Sequence, residues 1–219
     1  MRKAAGFMVI MVLILGIAGC SGASKAPAGS AGGGAPAASS ESGKNPLAEL
    51  AAKATGVDGM AFDLVMTSQS IGTKTMKGYV SGKATRMEME TAGQKVIMIR
   101  QANGDFYSYM PSVNMAIKMK PTGSAETPAD WAEKYNEPKY TVKETGSETI
   151  DGISCEGYQI LTGGQEESKM WVREDNGIPM KVEVAQAGDK IVVMYKNMRF
   201  GAQPVSLFEL PAGVKITEQ

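Results

Sequence analysis

Reactive side chains are scarce in this chain, which has no histidine at all. That removes histidine general bases, Ser-His and Cys-His nucleophile pairs, and imidazole metal ligands. Ser147 and Ser154 have no evident base near them. Glu88 and Glu90 share one face of an alternating run beside Arg86, the pattern of a solvated face. Glu166, Glu167 and Asp175 read as surface charge. Gly163-Gly164 is followed by no helix start, so it reads as a hairpin and not as a phosphate cradle. No group of residues meets the requirements of a catalytic site. The expectation is a protein that is not an enzyme and needs no cofactor.

Cys20 is the residue with the clearest chemistry. Arg2 and Lys3 precede an uninterrupted run of apolar and small residues from Ala4 to Gly19. This run is short for a spanning helix, which needs about 20 residues, and has the layout of a secretory signal; an uncleaved anchor, or an ordinary signal with an incidental cysteine, is the other reading. Its ending, Ile17-Ala18-Gly19-Cys20, resembles the bacterial lipobox, in which the chain is cut before the cysteine and the thiol receives a diacylglyceryl group. Several acyl chains on one residue give a stable hold, so the membrane is an expected partner through lipidated Cys20. Cys155 then has no partner within the chain, and no internal disulfide is expected. It reads as a small buried apolar residue in a strand, with a reactive thiol as the other reading.

Methionine is the compositional oddity: there are 16, and all but three follow the signal. Met60, Met66, Met87, Met89, Met115, Met119 and Met180 fall on the apolar side of alternating runs. Flexible thioethers adapt to ligands of variable shape, such as acyl chains, and they also fill ordinary cores. Met87-x-Met89 places two sulfurs on one strand face, which admits a Cu(I) reading. Lys and Arg together number 23, equal to Asp plus Glu, so nothing favours nucleic acid as a partner.

The elements that must position these residues fall into three parts. Residues 1–19 are the signal. Residues 20–45 are Cys20 and a Gly/Ala/Ser/Pro tether, which buries too little to fold and reaches about 25–30 Å. Residues 46–219 form the folded domain. It opens with a helix capped by Asn45, with Pro46 first, Leu47, Leu50, Ala51 and Ala54 on one face, and Gly56 ending it in the left-handed conformation. Period-two alternation then predicts strands at about 60–68, 74–81, 84–91, 94–101, 105–110, 113–119, 139–149, 153–162, 168–174, 178–186 and 190–199. Pairs such as Asn103-Gly104, Asp151-Gly152 and Asn176-Gly177 supply the positive φ of the turns between them. A short helix starts at Thr127-Pro128, with Asp130 in its first turn. It carries Trp131 and Tyr135 on one face, where they plug a core edge or line a cavity. Eleven strands with one apolar face need more cover than two short helices, unless the sheet curls or binds something.

Several segments carry a family resemblance. Tyr79-Val80-Ser81-Gly82-Lys83-Ala84-Thr85-Arg86-Met87-Glu88-Met89 resembles a strand pair of the LolA/LolB-like lipoprotein-carrier superfamily. Gly104-Asp105-Phe106-Tyr107-Ser108-Tyr109-Met110-Pro111 resembles its next hairpin. The stretch from Gly146 through Ile150, Gly152 and Cys155 to Tyr158 is similar to a G-x-E-x-I-x-G-x-x-C-x-x-Y segment of a bacterial group labelled DUF4412. Ile178-Pro179-Met180-Lys181 and Leu207-Phe208-Glu209-Leu210-Pro211-Ala212-Gly213-Val214 resemble a strand start and the closing segment. The resemblance implies a mainly β fold: a curved antiparallel sheet forming an unclosed half β-barrel of about 11 strands, with one or two short helices on the concave side. It implies an apolar concave face that holds acyl chains. The candidates here are Met60, Phe62, Leu64, Met66, Met87, Met89, Met115, Ile117, Met119, Trp131 and Met180. The expected function is non-catalytic binding of an acyl chain, lipid or lipidated partner by an anchored lipoprotein. A structural or sensory envelope protein acting on a protein partner is the alternative. The expected location is the cell envelope: the periplasmic face of an outer membrane, or the outer leaflet in a one-membrane cell.

Overall fold

The computed structural model describes residues 47–120, 131, 135, 137–186 and 188–218. The signal, Cys20, the tether, Asn45, Pro46, Thr127, Pro128 and Asp130 lie outside the described residues.

Helix α1 spans Ala48–Ala54. Gly56 does not end it in the left-handed region. Thr55 stays right-handed, and the chain leaves through two tight turns, with Gly56 N–H donating to the Lys53 carbonyl (3.2 Å) and Val57 N–H to that of Ala54 (3.1 Å). Twelve strands follow: β1 Gly59–Ser68, β2 Gly72–Ser81, β3 Ala84–Thr91, β4 Gln94–Arg100, β5 Phe106–Met110, β6 Met115–Met119, β7 Tyr140–Ile150, β8 Ile153–Thr162, β9 Gln165–Arg173, β10 Pro179–Gln186, β11 Asp189–Phe200 and β12 Lys215–Glu218. They make one sheet in the order β12-β6-β5-β4-β3-β2-β1-β11-β10-β9-β8-β7, so the ends are β12 and β7 and the sheet is unclosed. Every pair is antiparallel except β12 with β6. The expected mainly β, unclosed antiparallel architecture is what the chain adopts, with one strand more than expected.

The strand expected at 113–119 begins later. Pro111–Val113 is a 3-10 turn, Asn114 takes φ +48, and Val113 is 60% exposed. Asn114 serves the turn twice: its side-chain amide donates to the Gly213 carbonyl (3.0 Å), and its carbonyl accepts from Lys215 N–H (3.1 Å), which starts β12.

Register shifts fall between Ala61 and Asp63 on β1, Pro179 and Lys181 on β10, Ile160 and Leu161 on β8, and Glu144 and Gly146 on β7. Bulges bend strands and increase their twist. The ladders from β1 through β6 run without a shift. The bending is therefore concentrated in the part of the sheet from β1 through β11 to β7.

That bent part wraps α1. Leu47 and Leu50 pack with Trp131, Tyr158, Ile160, Met170 and Val172. Ala54 packs with Met60, Phe62, Leu64 and Met66. The face on which α1 lies is called inner below. The turn before β10 is pressed against the helix. Gly177 has φ +70, and a Cβ there would stand 1.9 Å from the Leu50 carbonyl oxygen. The Trp131 indole N–H donates to the Gly177 carbonyl (3.1 Å), and Tyr135 N–H donates to the Trp131 carbonyl (3.1 Å), one helical turn on.

The outer face of β4–β6 is covered too. Ile97, Ile99, Tyr107, Tyr109 and Ala116 form a cluster with Leu210 and Val214, from the chain that follows β11. Arg86 ties this chain down by donating to the Leu207 carbonyl (2.8 Å) and pairs with Glu88 (2.7 Å). Arg86 and Glu88 are half-buried here, so they are not the open solvated face that their alternation suggested.

Candidate functional site

Residues directly opposite in an antiparallel ladder point to the same face, so the registers trace rows across the inner face. One row reads Phe62–Gly78–Met87–Met98–Ser108–Ile117 across β1 to β6. The next reads Leu64–Met76–Met89–Val96. A third, on the other side of the first, reads Met60–Val80–Thr85–Arg100–Phe106–Met119. Met110 stands opposite Met115. Met76, Met87, Met89 and Met98 thus occupy adjoining positions on three strands.

The rows are unevenly filled. Met60, Phe62, Leu64, Met66, Met76 and Met98 are buried. Met87, Met89, Val96, Phe106, Met110, Met115, Ile117 and Met119 are half-buried. Phe62 lies over Gly78, where a Cβ would stand 2.2 Å from the ring, and meets Tyr195 edge-on at 5.3 Å. A glycine opposite Phe62 lets the ring lie flat across β2, toward the methionines.

Of the residues expected on a concave face, Met60, Phe62, Leu64, Met66, Met87, Met89, Met115, Ile117 and Met119 share the inner face. Trp131 lies in the neighbouring cluster with α1. Met180 lies elsewhere. It is the residue left between the pairs Pro179–Val172 and Lys181–Trp171, and it packs with Ile150, Cys155, Trp171 and Met194. Trp171 and Met194 alternate with the inward Met170 and Val193, so the bulge has turned Met180 to the outer side. Alternation in a linear sequence does not reveal a bulge.

β6 also departs from simple alternation. Its most buried residue is Ala116, fully covered on the outer side, while Met115 and Ile117 are half-buried on the inner side. Lys118 is held by Asp105 (2.9 Å) and lies 6.0 Å from the Tyr107 ring.

The titratable groups nearby are structural. Burial pushes the Cys155 thiol up to about 11, and it donates weakly to the Ile153 carbonyl at 3.6 Å. Burial likewise pushes the Tyr158 hydroxyl up to about 12. A thiol so far from ionisation is a poor nucleophile at neutral pH. Two inward polar residues were not legible in the sequence. Ser168 is 3% exposed, and its hydroxyl has no hydrogen-bond partner among the described residues. It sits in the row Val142–Ile160–Ser168–Val184–Ile191. Arg100 is half-buried between Thr85 and Phe106. A single serine or arginine at a strand end carries no periodic signal.

The inner face of β3–β6 is thus mainly thioether, aliphatic and aromatic, interrupted by Thr85, Ser108 and Arg100, and partly open beside a filled half under α1. It presents no acid-base pair among the described residues. Among the described residues no helix is long and apolar enough to cross a membrane.

In sequence, the chain is 26% identical over 179 residues to an uncharacterized protein of Methanocaldococcus jannaschii, covering 77% of this chain and 51% of that protein. It spans about half the length of this relative. In structure, it is similar to an uncharacterized conserved protein from Thermus thermophilus, at TM-score 0.51 and 8% identity over 79% of this chain and 97% of the other. It also aligns with a LolA superfamily protein from Nitrosomonas europaea over 74% and 96% of the two chains, at 15% identity and TM-score 0.34. Residues 58–177, more than half of the chain, match the family model described as a domain of unknown function, DUF4412, and the chain belongs to that family.

Proposed function

We propose that this is a lipid-anchored protein of the bacterial cell envelope that takes up an acyl chain, a lipid or a lipidated partner on the inner face of β3–β6, without catalysis. The observation that carries the reading is the half-burial of a largely apolar face. Met87, Met89, Val96, Phe106, Met110, Met115, Ile117 and Met119 share one side of four strands and are only partly covered. Burying more of that face gains roughly 25 cal/mol per Å² of apolar area removed from water. Unbranched methionine side chains let the face conform to a flexible chain. Signal residues 1–19 and Cys20 support export and anchoring, with the tether letting the sheet stand off the membrane.

The test is to purify the full chain from bacterial envelopes and extract it with organic solvent. Acyl lipid in near-stoichiometric amount is expected. The delipidated chain is also expected to enhance the fluorescence of diphenylhexatriene, a pure hydrocarbon probe. A lipid-free chain that takes up no probe contradicts the reading. Cys20→Ser is expected to release the protein from membranes or halt its maturation, and unchanged fractionation contradicts the anchor.

A second reading, a structural or sensory envelope protein that acts through protein contacts, is favoured by β7. It is an 11-residue edge strand with most of its residues exposed. Open edges offer unpaired backbone groups to an extended partner. A chain that carries no lipid but retains one envelope protein at stoichiometry would support it.

A further inference from the structure

Arg100 ends β4 on the inner face. The alternation of Met98 and Arg100 and the pairs Thr85–Arg100 and Arg100–Phe106 fix its side. It is half-buried, and no hydrogen bond or ion pair is formed by it among the described residues. Among the described residues, its ladder neighbours hold no carboxylate: Thr85 and Phe106 flank it, and Met98 is two residues back. Two other arginines on strands are engaged, and a third, Arg199 on β11, is exposed to solvent. Arg86 binds Glu88 and the Leu207 carbonyl, and Arg173 binds Asp175. A half-buried guanidinium on this face, with no counter-ion among the described residues, carries a desolvation cost that a bound anion offsets. Its planar fork suits carboxylate and phosphate groups, which it can hold through two parallel hydrogen bonds.

We propose that Arg100 holds the anionic head of an acyl ligand whose chain lies along Met87, Met98 and Ile117 in the adjoining row. This rests on the acyl-binding reading above and narrows its ligand to an acyl chain that ends in a carboxylate or a phosphate. The head sits at the strand ends, next to water, and the chain runs over the thioethers. Both parts of the ligand then meet groups of matching chemistry within two neighbouring rows.

The test compares ligands with the same chain and different heads. The full chain, delipidated and held in amphipol, is loaded with diphenylhexatriene, and a protein-free blank is subtracted. The probe is then displaced by palmitic acid, 1-palmitoyl lysophosphatidic acid or hexadecan-1-ol. The wild type is expected to bind at least one of the acids about tenfold more tightly than the alcohol, the size of one charge-assisted contact. Whichever acid is preferred identifies the head as carboxylate or phosphate. Arg100→Gln is expected to lose that preference while keeping its affinity for hexadecan-1-ol and for the probe, and Arg100→Lys is expected to keep part of it. An Arg100→Gln chain with the wild-type ratio of acid to alcohol affinity overturns the assignment but leaves acyl binding intact. A wild type that releases the probe to none of the three ligands overturns acyl binding itself. Displacement of palmitic acid by inorganic phosphate alone, at equal concentration, overturns the requirement for an attached chain.

Discussion

The strands under α1 and the strands β3–β6 begin from similar material and end differently. Both alternate apolar and polar residues, yet Ile160, Met170 and Val172 are at most 1% exposed, whereas Met87, Met89, Met115 and Met119 remain half-buried. The difference lies in what lies across the strands. Over β8–β10 the chain supplies Leu47, Leu50 and Trp131, and the ladders there carry bulges. Over β3–β6 the ladders are regular, and the segment that packs on them, with Leu210 and Val214, covers the outer face. A sheet therefore buries a face only where a later or earlier piece of chain returns to it. The same contrast separates a filled half from the half proposed to bind.

The comparison predicts unequal responses to equal changes. Gly177→Ala combines a positive φ with a backbone clash at 1.9 Å against Leu50. It is expected to lose about 3 kcal/mol or more in urea unfolding, because neither the turn nor α1 can yield. Gly78→Ala clashes only with the Phe62 ring, which can swing toward the open methionine rows, so about 1–2 kcal/mol is expected. Equal losses at the two glycines would break the contrast. Truncation behaves similarly. Ile160→Ala, in the filled half, is expected to lose about 3 kcal/mol, and Met89→Ala, in the open half, about 1 kcal/mol with a clear drop in diphenylhexatriene uptake. A probe signal lost at Ile160 and kept at Met89 would place the binding face on the wrong half. Ser168→Ala removes a buried hydroxyl without a partner, so a gain of about 1 kcal/mol in the ligand-free chain is expected from thermal unfolding. A loss would mean that the hydroxyl has a partner.

The smallest effect concerns the β1–β2 turn. The Asp189 carboxylate accepts from the Ser70 hydroxyl (2.6 Å) and from the backbone N–H groups of Ser70 and Gln69 (3.1 Å each), clasping the β1–β2 turn. These bonds, the Ser70 hydroxyl first, hold its pKa down at about 2. A lowered carboxylate contributes stability above its unfolded value of about 3.9 and loses it as pH falls toward 2. Asp189→Asn is therefore expected to flatten the fall in Tm between pH 4 and pH 2, while the pH 7 structure stays intact. An unchanged acid limb would show that the clasp is absent.

Much of this was legible in the residues. Alternation at Met60–Met66 and Val182–Val184 and glycine-bearing turns at 151–152 and 163–164 located the strands, because period two and positive φ are local properties. What was not legible depends on distant chain. Met180 was turned outward by a bulge whose cause is the register of β9. Ala116 became the buried residue of β6 because residues 201–214 fold back over it. β12 is four exposed residues, with no pattern to read. Arg100 became notable only when the rows showed it standing among apolar neighbours. The methionine-rich face was foreseen from spacing, and the uneven cover that makes it a candidate site was not.

The most direct test is to let a diazirine-labelled palmitic acid bind the full chain, irradiate it, and map the modified residues by peptide mass spectrometry. Labels are expected on Met87, Met89, Met98 and Ile117, with few on Ile160 or Val172 beneath α1. Labels confined to the outer face, at Tyr107, Tyr109 or Trp171, would contradict the account.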